Sequence, residues 1–155
     1  MKVYFGFDTS NYTTSFAAVD EDGNVLVNAK QRLKVRSGER GLRQSDAVFQ
    51  HTAAGDFIES SISGFFKKYP RAVIDAVGYS ARPRDIDGSY MPCFLVGSTV
   101  AKCISASMRI PSFPFSHQAG HVAAALVSSE STDLCGREFA AFHVSGGTTD
   151  ILHIR

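Results

Sequence analysis

Three cysteines in 155 residues, Cys93, Cys103 and Cys135, are too few for a cross-linked scaffold. Their number is odd and none stands in a C-x-x-C spacing, so neither a disulfide framework nor a zinc–cysteine site is indicated. Buried thiols in a reducing cytoplasm are the expectation. No apolar run approaches the ~20 residues that cross a bilayer, so no membrane partner is expected. The N-terminal residues 1–8 lack a signal-peptide hydrophobic region, because Asp8 arrives too early. Charge of one sign is lacking too. Sixteen Lys and Arg against fifteen Asp and Glu leave a formal charge of +1, so global electrostatics select no partner.

What is present describes a folded chain. It is 44% hydrophobic and 20% charged, which excludes a disordered polymer, and its length suffices for one ordinary core. The apolar runs 3–7 and 15–19 and the segment from Val25 onward are separated by turn-rich stretches, which predicts a three-stranded antiparallel meander. Lys30, Arg32, Lys34 and Arg36 alternate with Gln31, Leu33 and Val35, so a strand there carries four cations on one face, with Arg40 and Arg43 close behind. Such a face suits nucleic-acid phosphates; it also suits plain solvation, which the sequence favours.

Residues 44–68 have a broken but broadly helical apolar pattern, stopped by Tyr69 and Pro70. Residues 74–79 predict a strand, 80–89 a charged loop, 94–108 a helix and 111–115 a short extended segment. Ser116 is a candidate N-cap for a helix reaching about Val127. Residues 139–144 and 150–154 predict a hairpin around Ser145, Gly146 and Gly147, much like the earlier hairpin around residues 8–14. A small polar turn of this kind can bring backbone N–H groups to an anion, and it is also what any tight hairpin needs. Two such hairpins a domain apart predict a duplicated architecture, with a first domain over 1–136 and the opening hairpin of a second over 137–155. Arg155 is accordingly not expected to be the end of the natural protein.

Chemistry concentrates in one place. His117 and His121 lie four apart on the last of these helices, so one helix face can aim both imidazoles at one ion. Two ligands do not complete a site, and a pair of capping and packing histidines is the plain alternative. Asp8, ending the first strand, could orient a magnesium-bound nucleotide such as ATP.

Together these residues resemble one family over nearly the whole chain. It is the tRNA threonylcarbamoyladenosine synthase (TsaD) family, formerly called the O-sialoglycoprotein endopeptidase or glycoprotease family, within the actin-like ATPase superfamily. The resemblance runs through Gly6-Phe-Asp-Thr-Ser-Asn-Tyr-Thr-Thr14, residues 40–51 ending in His51, Leu95-Val-Gly-Ser-Thr-Val100, Pro111-Ser-Phe-Pro-Phe-Ser-His-Gln-Ala-Gly-His121 and His143-Val-Ser-Gly-Gly-Thr-Thr149. It implies an α/β, ribonuclease-H-like fold with a mixed sheet and flanking helices, the first half of a duplicated two-domain protein. It implies that His117 and His121 bind a divalent metal, iron or zinc, completed by an aspartate of the second domain. Asp8, Ser10, His143, Val144, Ser145, Gly146 and Gly147 would then line a nucleotide or acyl-adenylate site. The partners implied are the missing C-terminal domain, an actin-like family subunit forming a homo- or heterodimer, and tRNA.

The departures are chemical. Tyr12 and Thr13 stand where the family has adjacent acids, Gln44 and Ser45 where it has Pro-Glu, Ala119 where it has Glu, and Thr148 where it has His. Neither Thr nor Ala accepts a proton at neutral pH. The expectation is a divergent transferase-like paralogue that is inactive as this fragment, or a non-catalytic partner subunit. A metallopeptidase is disfavoured, because H-x-x-G-H lacks the general-base Glu of H-E-x-x-H.

Overall fold

The opening strand shows how the chain folds. In β1 (Lys2–Ser10) Val3, Phe5, Phe7 and Thr9 are buried, whereas Tyr4, Gly6, Asp8 and Ser10 are only partly covered. That is the two-residue period of a pleated strand with one face on a core. A computed structural model describes residues 1–38, 41–144 and 149–154, and it forms two compact units, Met1–His117 and Gln118–Arg155. The boundary expected at residue 136 concerned duplication, which compactness does not address.

The first unit is a five-stranded mixed sheet. β2 (Thr13–Asp20) and β3 (Val25–Arg32) complete the antiparallel meander, while β4 (Val73–Arg82) and β5 (Ser112–Ser116) add in parallel on the other side of β1. The strand order is β3-β2-β1-β4-β5, so β1 is central and β3 an edge. Each parallel step crosses through helices: α1 (Gln44–Ala53) and α2 (Gly55–Lys68) precede β4, and α3 (Phe94–Met108) precedes β5. The core packs Val3, Phe5, Phe7 and Phe16 against Ile58 and Phe65 of α2, Val77 and Tyr79 of β4 and Ala101 of α3. Phe5 stands edge-on to both Phe16 and Phe65, with ring centroids 5.0 and 5.3 Å apart.

Three expectations change. The single helix expected over 44–68 is two helices, interrupted at Ala54 (φ −83°, ψ 15°) before Gly55. Glycine is a weak helix former, and the two halves have different anchors. α1 buries Ala47 and His51, whose ring is hydrogen-bonded into β1 and β2, while α2 buries Ile58 and Phe65 in the apolar core. Strand β4 runs on to Arg82, so Ser80 belongs to the sheet and not to a loop. Strand β3 ends at Arg32, so Lys34 and Arg36 lie beyond it.

The second unit holds nearly all of α4 (His117–Ser128), a short 3-10 turn at Thr132–Leu134, and the antiparallel ribbon of β6 (Phe139–Val144) and β7 (Thr149–Ile154). Phe142, Val144 and Ile151 on one face of that ribbon are each at least 70% exposed, so the ribbon has no core of its own on that side. No helix among the described residues is long and apolar enough to cross a membrane.

Phe16 is fully buried at the centre of the aromatic cluster. Phe16→Ala is expected to cost about 3–5 kcal/mol in urea unfolding, whereas Phe49→Ala, at an exposed position, should stay within about 0.5 kcal/mol. Equal effects would contradict this assignment of the core.

Candidate functional site

The even-numbered face of β1 carries Asp8 near its end, and three donors converge on its carboxylate. The Ser10 amide donates to Oδ1 at 2.8 Å, the Ser80 hydroxyl of β4 donates to Oδ2, and His117 Nδ1 lies 2.7 Å from Oδ2. Parallel pairing of β1 with β4 and of β4 with β5 brings the strand ends to one edge, and α4 begins there with His117. Burial pushes the Asp8 carboxyl up, but the hydrogen bond and charge of His117, with Ser80 and the Ser10 amide, outweigh it and hold Asp8 at about 2. Asp8 is therefore an anion at neutral pH. Because its Nδ1 faces that anion, the His117 ring presents Nε2 as the nitrogen for a further ligand.

Behind this face lies a buried polar layer. Thr14 Oγ1 and His51 Nδ1 are 2.8 Å apart, and His51 Nε2 is 2.9 Å from the Ser10 carbonyl. A carbonyl only accepts, so Nε2 carries the proton and Nδ1 accepts from Thr14. Burial lowers the His51 pKa, which keeps the ring neutral. His51 is thus a buttress under the turn from β1 to β2.

Thr9 ties the start of α3 to the same place. Its hydroxyl donates to the Cys93 carbonyl at 2.9 Å and accepts from the Gly97 amide at 3.0 Å. A Cβ on Gly97 would sit 2.9 Å from that hydroxyl oxygen, so a glycine lets helix and strand approach this closely. Cys93 is buried beside this joint, and burial together with the Asp8 charge pushes its thiol up to about 11.

The entry into α4 is held from a second direction. Ser116 is buried and its hydroxyl donates to Asp85 Oδ2 at 2.6 Å, and Arg82 pairs with Asp85. The Ser116 hydrogen bond, then Arg82, lower the Asp85 pKa. Asp85 therefore helps fix the residue before His117.

In the second unit, the His121 and His143 rings lie 5.4 Å apart, centroid to centroid. Asp150 Oδ2 is 3.8 Å from His143 Nδ1 and accepts from Gln118 Nε2 at 3.4 Å. His143 Nδ1 is buried with no hydrogen-bond partner among the described residues. Val144 is exposed, and Ser145, Gly146, Gly147 and Thr148 lie outside the described residues. Among the described residues, no three His, Cys, Asp or Glu side chains gather closely enough to hold a metal ion.

The site residues expected from sequence therefore fall in two groups. Asp8, Ser10 and His117 are together in the first unit, and His121 and His143 are neighbours in the second. Sequence reasoning missed Ser80, Thr9, Thr14, Asp85 and Asp150, while for His51 a structural role was the favoured expectation. Asp150 alone had a usable signal, an acid directly after the glycine turn.

Asp8 accounts for a test in acid. Its folded pKa lies below the ordinary 3.8, so its stabilisation is complete above about pH 4 and is lost as pH falls through about 2. Asp8→Asn is expected to cost about 2 kcal/mol near neutrality, with the gap from wild type closing toward pH 2 in chemical unfolding. A gap independent of pH would overturn the assignment. In native protein near pH 8, Cys103 and Cys135, both exposed, should react with an aromatic disulfide reagent, and Cys93 only after denaturation.

No family model matches the chain. Several curated proteins do. A tRNA N6-adenosine threonylcarbamoyltransferase of Chelativorans sp. is 35% identical over 155 residues, covering 96% of this chain and 40% of the relative. Those of Buchnera aphidicola (30%, 98% of this chain, 42% of the relative) and Methanopyrus kandleri (24%, 97% and 41%) match similarly. The chain thus spans about two fifths of the length of the curated relatives it matches. Among solved structures, YeaZ from Pseudomonas aeruginosa superimposes with a TM-score of 0.53 at 11% identity, over 98% of this chain and 64% of that one. A ROK family transcriptional regulator, a homologue of the E. coli MLC protein, gives 0.52 at 13% identity, over 99% and 36%. Such low identity establishes the fold alone, and it is the ribonuclease-H-like, actin-like α/β fold expected. By sequence the chain is similar, as a divergent relative, to about two fifths of the length of tRNA N6-adenosine threonylcarbamoyltransferases.

Proposed function

We propose that this chain forms one wall of a tRNA-modifying site, in a protein that moves a threonylcarbamoyl-type acyl group onto an adenosine amino group. The observation that carries the proposal is the bond between Asp8 and His117 Nδ1. A carboxylate on one imidazole nitrogen fixes the tautomer and raises the basicity of the other, the usual arrangement behind a histidine metal ligand. His117 and His121, one turn apart on α4, would hold a divalent ion, iron or zinc. Such an ion, when bound, polarises an acyl or phosphoryl oxygen. The described residues fit that role only in part, since no third ligand joins the two imidazoles, and a further segment of the protein would supply it. Ser80 and the Ser10 amide keep Asp8 ionised and aimed at His117, and Asp85 with Ser116 positions the start of the helix. His143 would help receive the acyl-adenylate, its buried Nδ1 being without a hydrogen-bond partner among the described residues.

A second reading, a partner subunit without turnover, is favoured by one specific observation. The family's acids are replaced by Tyr12, Thr13 and Ala119, and neither Thr nor Ala accepts a proton at neutral pH.

Metal content and turnover separate the two. The longest polypeptide containing this sequence, purified without chelator, is expected to carry a divalent ion. His117→Ala and His121→Ala should abolish the binding, and Asp8→Asn should weaken it by about 10–100-fold. Absence of metal from wild type, or binding indifferent to all three substitutions, would overturn the metal proposal. Bound metal with no transfer to tRNA would favour the partner subunit.

A further inference from the structure

Strand β3 carries cations that nothing in the described structure neutralises. Lys30, Arg32, Lys34 and Arg36 are all exposed, and among the described residues none of them forms an ion pair. Lysine on an edge strand is a common guard against sheet-to-sheet pairing, and one or two residues serve that purpose. Here the series continues past the last paired residue, and the continuation is anchored. Leu33 is buried and its amide donates to the Tyr12 carbonyl at 2.9 Å. Both backbone polar groups of Lys34 are held by the Gln50 side chain of α1, at 2.7 and 3.0 Å. The cations around this anchor are therefore presented on a fixed backbone.

The sheet register relates this edge to the site. Asp8 pairs with Ser15 and Ser15 with Lys30, while Ser10 pairs with Thr13 and Thr13 with Arg32. Directly opposed residues point to the same face of a sheet, so Lys30 and Arg32 share the face of Asp8 and Ser10. Only the small hydroxyl side chains of Ser15 and Thr13 lie between. Two strand spacings put the cations about 10 Å from the Asp8 strand. A polyanion lying along β3 thus has the Asp8–His117 end of the sheet within reach of one of its bases.

We infer that the Lys30–Arg32–Lys34–Arg36 edge is a track for the phosphate backbone of an RNA strand that presents a base to the Asp8–His117 end of the sheet. The inference rests on the proposed function and gives that site a substrate-binding surface. Uncompensated cations, Lys30 and Arg32 on the Asp8 face and Lys34 on a held backbone, beside uncharged neighbours, suit a repeating polyanion. An acidic peptide strand pairing along the edge is the competing occupant.

Binding of a fluorescent tRNA transcript to the full chain, followed by anisotropy over a range of salt concentrations, tests the track. Joint substitution Lys30→Gln, Arg32→Gln, Lys34→Gln and Arg36→Gln is expected to weaken binding at least tenfold at low salt. It should also flatten the slope of log affinity against log salt by about 3, since each lost phosphate contact contributes roughly 0.7–0.9. Lys67→Gln with Lys68→Gln, exposed on α2, should change neither value. An unchanged slope in the fourfold variant, or polyglutamate competing as well as RNA of equal charge, would overturn the inference. Metal binding by His117 and His121 is measured independently. Loss of the track with metal binding intact leaves the proposed function standing, and loss of metal binding with the salt slope intact removes that function alone.

Discussion

Everything in the first unit depends on the pleat of β1. One strand of nine residues serves two environments, because successive side chains leave it on opposite faces. Val3, Phe5 and Phe7 anchor the aromatic core on one side, and Asp8 is delivered to the other. Strands on both flanks keep β1 central, so its position is fixed by ladders on each side and by the α2 and α3 residues beneath it. A one-residue slip would exchange Phe7 with Asp8, burying a carboxylate and exposing a ring. That cost enforces the register, and the register then determines what stands beside Asp8.

Polar groups at this end of the sheet are used economically. Asp8 is only partly buried, yet it takes three donors from β1, β4 and the first residue of α4. Under it, Thr14, His51 and the Ser10 carbonyl close a second chain of hydrogen bonds, with a neutral imidazole whose tautomer the carbonyl imposes. Thr9 completes the layer by holding the first turn of α3. These contacts involve groups distant in sequence, so they specify how the elements join rather than whether each forms. They also give the histidines a plain division of labour. His51 supports the scaffold, His117 meets the carboxylate, and His121 lies on the second unit beside His143.

Legibility in the sequence followed the range of the interactions. The meander, α3, β5 and α4 were readable because period and turn residues are local. The break at Ala54 was not, because it reflects two anchors that pull adjacent helical segments to different neighbours. Ser80 looked like the start of a loop, since charge, glycine and proline follow it closely; pairing with β1 and β5 extends the strand instead. Asp85 looked like part of a charged loop, and only its contact with Ser116 gives it a place. Lys30 and Arg32 read as a solvated face until the register set them on the side of Asp8.

By itself the sequence determined the class of fold and singled out the candidate residues. Residue types, their order and their spacing are written in the chain, so the histidine pair, the glycine motif and the replaced acids could be recognised, and with them the resemblance to one family. Tertiary structure decided which of those residues act together. Asp8 and His117 are 109 positions apart, and nothing local to either names the other. Their meeting follows from parallel pairing across β1, β4 and β5, a long-range outcome that no local pattern encodes.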